Sequence, residues 1–178
     1  MLFRSVVAGK KEWVQKIYQY REINGASLQA DPAYMIARGM KTLELRIERQ
    51  NASALKIANY LKAHSKVADV FYPGLTTHPG HSIAQQQMSG FGGIMSFALD
   101  GGYEYVKKLL THLKLVHLAA SLGSVSTLAG PPRTTSHVEL TEAQRKLLGI
   151  PESLIRYSVG IENVDDLLQD LDTALASL

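Results

Sequence analysis

The stretch Ser153 to Leu168 reads SLIRYSVGIENVDDLL and sets an arginine in the middle of a strand-like run. Side chains alternate between the two faces of a strand, so Ile155, Tyr157 and Val159 share one face. Leu154, Arg156 and Ser158 share the other, which places a guanidinium beside a small hydroxyl on the surface away from the apolar set. A guanidinium stays charged at any working pH, and its planar fork matches the two oxygens of a carboxylate. Arg156 is therefore a candidate carboxylate clamp. The competing reading is a surface arginine paired with a nearby glutamate, and strand periodicity leaves both open.

Other residues are weaker candidates. His78 and His81 in HPGH have a spacing that suits a metal pair, but no carboxylate or third ligand lies near them in sequence. His64, His112 and His117 fall near the ends of expected elements. No metal site is expected. Lys10 and Lys11 read as exposed lysines opening a helix after a VVAG strand. Arg133 in PPRTTSH is either a loop arginine facing solvent or a cation for an anionic leaving group. The chain has no cysteine, which removes disulfides, thiolate ligands and a cysteine nucleophile from consideration.

The net charge is +3, yet the 11 lysines and 8 arginines are scattered among acidic residues, as in KKE and RIERQ. Without a basic stripe interleaved with aromatics, nucleic-acid binding is not expected. No apolar run approaches membrane-spanning length, and the N-terminus has too few apolar residues for a secretory core. A cytoplasmic protein with no membrane partner is the expectation. Apolar residues at 46% and charged residues at 20% mark an ordinary globular balance.

These residues need elements to hold them. Asp31-Pro32 is expected to cap and open a helical stretch over Ala33–Ala63, which is either one long helix or two joined near Arg49–Asn51. Strands are expected at Val67–Tyr72, Gly92–Leu99, Leu115–Ser121 and LIRYSV, with a helix from Tyr103 to His112. The middle of HPGHSIAQQQMSG suits a short helix, and Thr141 with Gln144 suits a capping box. Asn163 is expected to cap a last helix whose apolar face is Val164, Leu167, Leu168, Leu171 and Leu175. Four strands among helices predict an α+β fold, with a mostly antiparallel sheet covered by helices on one face and a long helix before it.

Three motifs in order, RGMKTLELRIERQNA, SLGSVSTLAGPPRTTSH and LIRYSVGIENVDDLLQDL, resemble the C-terminal part of the pyridoxal-phosphate-dependent trans-sulfuration enzymes. That family includes cystathionine γ-synthase, cystathionine lyases, methionine γ-lyase and the O-acylhomoserine sulfhydrylases. The resemblance implies the C-terminal domain of a fold type I enzyme, with residues 1–30 the remnant of the large cofactor-binding domain and residues 31–178 the substrate-binding domain. It implies that Arg156 grips the substrate α-carboxylate and that Ser121, which opens SLG, helps to hold it. The implied cofactor is pyridoxal 5'-phosphate, and the implied substrate is a sulfur amino acid or acyl-homoserine. The implied chemistry is β- or γ-elimination or γ-replacement, carried out by a homotetramer.

Two departures qualify that resemblance. The family's Schiff-base lysine lies in a SATK-type motif that belongs upstream of Met1, and no such motif occurs in this sequence. The chain alone is therefore expected to be inactive, with no catalytic or cofactor-binding residue of its own. The position five residues after Ser121, acidic in several of these enzymes, is Ser126 here. The rival expectation is a non-catalytic module that binds an amino acid or a protein through the same scaffold.

Overall fold

A computed structural model describes residues 7–178. Its contacts divide the chain into two units, Met1–Leu43 and Glu44–Leu178. The first unit carries α1 (Lys11–Asn24) and α2 (Ala30–Met40), neither of which buries a residue. Lys10 and Lys11 are exposed at the start of α1, as expected. The strand expected at VVAG is not found over residues 7–9, and Val6 lies outside the described residues. Gln29, not Asp31, stands at the cap of α2; Asp31 and Pro32 fall inside its first turn, where backbone N–H groups have no helical partner to lose.

The helical stretch is two helices, but the join is not at Arg49–Asn51. It falls at Lys41–Thr42, just after Gly39, and α3 runs unbroken over Leu43–Ala63. Glycine and threonine are poor helix formers, whereas arginine and glutamine at positions 49 and 50 continue a helix readily.

In the second unit a sheet of five strands has the order β1 (Val67–Phe71), β2 (Ile94–Leu99), β5 (Leu154–Ser158), β4 (Leu128–Gly130), β3 (His117–Leu118). All pairs are antiparallel except β3 with β4. This is one strand more than expected. The addition, β4, is only Leu-Ala-Gly, fully buried between β5 and β3. The expected strand at Leu115–Ser121 shrinks to His117–Leu118. Beyond it the Ala119 N–H still donates to the Ala129 carbonyl, but the Ala119 and Ser121 carbonyls turn to a side chain instead.

Alternation along β2 and β5 builds the core. Met95, Phe97 and Leu99 join Ile155, Tyr157 and Val159 on one face, each no more than 2% exposed. Ile57 and Leu61 of α3, Leu109 of α5 (Tyr103–His112), and Leu167, Leu171 and Leu175 of α7 (Val164–Ala176) belong to the same cluster. Helices thus cover this face. The short helices α4 (His81–Gln87) and α6 (Glu142–Leu147) complete the unit. The capping box of Thr141 and Gln144 is formed, and Asn163 Oδ1 accepts from the Asp165 N–H. No helix among the described residues is long and apolar enough to cross a membrane.

One core atom is out of balance. The Tyr157 hydroxyl is buried without a hydrogen-bond partner, and burial pushes its ionisation far above the usual phenol range. Stranded buried polar groups destabilise a fold. Tyr157→Phe should therefore raise the unfolding free energy by about 1 kcal/mol in urea titration. A loss of similar size would mean that the hydroxyl has a role in the folded core.

Candidate functional site

Arg156 is the central residue of β5, opposite Ser96 of β2 and Gly130 of β4. Its side chain lies on the face away from the helical core and is half-buried, as the alternation requires. Nη2 donates to the Ser121 carbonyl at 2.8 Å and to the Ala119 carbonyl at 3.3 Å. These carbonyls belong to the segment that failed to continue β3. The Arg156 Nε–H is buried and has no hydrogen-bond partner. The site thus holds a cation anchored at one nitrogen, with a second N–H donor left unused.

The two residues singled out from the sequence, Arg156 and Ser121, are therefore brought together. They meet through the main-chain carbonyl of Ser121 and not through its hydroxyl. Glycine at 130 matters for the same contact: a Cβ there would lie 3.2 Å from the Ala119 carbonyl and 3.1 Å from Thr135 Cγ2. Two residues missed from the sequence support the loop. Ser158 Oγ accepts from the Gly123 N–H at 3.1 Å, and Gly123 itself has φ +72°, a left-handed conformation that favours glycine. The alternation that put Ser158 beside Arg156 was the available signal for the first of these. Ser126 N–H donates to Ser124 Oγ at 3.2 Å within the same loop.

Arg133 is not a free loop cation. Its Nη1 bonds Glu152 Oε2 at 2.6 Å, and its guanidinium lies 4.3 Å from the centre of the Tyr103 ring. The other oxygen, Oε1, bonds Nε of the buried Arg145 at 2.7 Å, and Arg145 also donates to the Leu140 carbonyl. The hydrogen bond from Arg145, with the charges of both arginines, holds the Glu152 carboxyl below its ordinary value. A carboxyl lowered in the folded state contributes stability above its unfolded pKa and loses it as pH falls through the folded one. Stability should therefore fall with acidification below about pH 4.5, and Glu152→Gln should flatten that dependence while destabilising the protein at pH 7. Thermal melts from pH 7 to pH 3 check this; parallel curves for both proteins would refute it.

Three of the histidines are committed locally. His78 Nδ1 accepts from the Gly80 N–H, and His81 donates from Nδ1 to the Pro73 carbonyl while stacking on Phe91. His137 Nδ1 pairs with Ser136 Oγ. No group of three or more metal-ligating side chains gathers among the described residues. A cavity of about 530 Å³ beside α5 shares Ala119 and Gly130 with the Arg156 site, and one of about 550 Å³ lies between β1 and α6.

The family model for Cys/Met metabolism PLP-dependent enzymes matches residues 2–176. The chain is 46% identical over 158 residues to an L-methionine gamma-lyase of Fusobacterium nucleatum subsp. polymorphum, covering 89% of this chain and 40% of that protein. It is 41% identical over 172 residues to the chloroplastic cystathionine gamma-synthase 1 of Nicotiana tabacum, covering 97% of this chain and 32% of that one. The crystal structure of cystathionine gamma synthase from Xanthomonas oryzae pv. oryzae, in complex with cystathionine, superposes with a TM-score of 0.90 at 37% identity. It covers 96% of this chain and 44% of the other. The chain thus spans less than half the length of these relatives.

Proposed function

This chain belongs to the Cys/Met metabolism PLP-dependent enzyme family, and from that membership we propose that it is the substrate-gripping part of a trans-sulfuration enzyme. Arg156 holds the α-carboxylate of a sulfur amino acid or an O-acylhomoserine, and the Ser121 carbonyl fixes the guanidinium from behind. The observation that carries this is the buried, unpartnered Nε–H of Arg156, a donor that a carboxylate oxygen would satisfy. Anchoring Nη2 on two carbonyls limits the rotation of a long side chain, so less entropy is lost when the ligand arrives.

The family's cofactor is pyridoxal phosphate, which when bound supplies the electron sink for breaking bonds at the substrate's carbons. The hydrogen-bond partners of Arg156 are carbonyls suited to steadying a cation. This chain's part is to bind and orient the acid end of the substrate. Turnover on addition of pyridoxal phosphate and methionine to the chain alone is not expected. The same proposal assigns residues 1–30 to the end of the cofactor-binding domain and residues 31–178 to the substrate domain. The working protein is read as a cytoplasmic homo-oligomer; the apolar side chains exposed on α1 and α2, among them Trp13, Tyr34 and Met35, support self-association.

Titrating the ¹⁵N-labelled chain with L-methionine should move the Arg156 Nε–H resonance, whereas L-methioninamide, which lacks the carboxylate, should not. An equal response to both ligands, or to neither, defeats the assignment of Arg156.

A further inference from the structure

The position of the guanidinium depends on the Ser121–Thr127 loop, and that loop is gripped from outside. Both oxygens of the Glu162 carboxylate are spent on one residue: Oε1 accepts the Thr127 N–H at 2.6 Å, and Oε2 accepts the Thr127 hydroxyl at 2.8 Å. The same hydroxyl accepts the Gly160 N–H at 2.9 Å, so Thr127, with no exposed surface, has both its donors and its hydroxyl oxygen engaged. Ile161 N–H donates to the Val125 carbonyl at 2.9 Å. From α3, the buried Gln50 donates to the Ser124 carbonyl at 2.9 Å, and Arg49 donates to the Glu162 carbonyl at 3.2 Å.

A carboxylate that only decorated a solvated surface would not use both oxygens on a buried backbone N–H and its own side-chain hydroxyl. Such bonds to an ionised acceptor are short and strong, and in a partly buried setting they reinforce one another. Gly160–Glu162 follow directly on the strand that carries Arg156. The clasp therefore ties the loop bearing the Ser121 carbonyl to the chain end of β5. We propose that Glu162 and Thr127 are positioning residues, which set the direction of the Arg156 donor by holding the loop on which its guanidinium rests. This rests on the reading of Arg156 as the carboxylate cation and extends it to residues that touch no ligand.

The test uses the ¹⁵N-labelled 178-residue chain without ligand, following the Arg156 Nε–H resonance, identified by its loss in Arg156→Lys. Thr127→Val keeps the shape and removes the hydroxyl, and it should move that resonance and raise its solvent exchange about tenfold through local opening. Thr127→Ser should restore the original signal. Glu162→Gln, which fills the same space but presents an N–H where Thr127 needs an acceptor, should act in the same direction, and it carries the test if Thr127→Val does not fold. Leu171→Ala, in the core away from the clasp, should lower the melting temperature and leave the signal in place. An unmoved signal in the clasp variants, or an equal change in Leu171→Ala, overturns the proposal. Because no ligand is added, failure of the methionine titration with an intact clasp response would fault the carboxylate reading alone.

Discussion

Arg156→Ala, carried in a full-length enzyme of this family, is expected to lower kcat/KM by about 30-fold to about 5,000-fold, the equivalent of roughly 2–5 kcal/mol for one partner of a buried charge pair. KM should rise strongly, because the clamp acts on the bound acid group before any bond breaks. Folding should suffer little. The side chain lies off the core face, and what the protein itself loses is the pair of bonds to the Ala119 and Ser121 carbonyls. Arg156→Lys keeps the charge and gives up the fork, so its activity should fall between alanine and the parent. Steady-state kinetics beside a thermal melt separate the possibilities. A large drop in melting temperature with normal kinetics in the surviving protein would make Arg156 an architectural residue.

Gly160→Ala should be the most damaging single-methyl change in the second unit, at about 3 kcal/mol, the upper part of the range for over-packing. An added Cβ would run into the Val125 carbonyl and the Glu162 carboxylate and would stand 2.6 Å from the Thr127 backbone nitrogen. Two of these three are main-chain atoms and cannot rotate away. Relief would require opening the clasp, so the Arg156 resonance should move as well. Gly123→Ala is the useful contrast: nothing lies within 4 Å of its added Cβ, and its cost comes from a φ of +72° alone. Denaturant midpoints for the two variants should differ in the order stated. A Gly160→Ala protein as stable as the parent would mean that the loop is not packed against this turn.

What was legible in the sequence follows from the range of the forces involved. The helix at Tyr103–His112, the Thr141–Gln144 box and the Asn163 cap depend on residues within a few positions of one another, and each stands where the sequence put it. The apolar alternation in β5 likewise placed Arg156 on the correct face, because pleating fixes that within the strand itself. The family resemblance added which enzymes such a chain belongs with.

The tertiary structure alone decided what surrounds the arginine. Leu128–Gly130 is too short and too rich in small residues to announce a strand, and it becomes one only because β5 and β3 lie on either side of it. That Ser121 presents its carbonyl and not its hydroxyl depends on where the loop leaves the sheet. The pairing of Thr127 with Glu162 joins residues 35 positions apart, and Arg133 finds Glu152 across 19. Bonds of that span form only after the chain has closed on itself, so the amino-acid order contains the partners without naming the pairs.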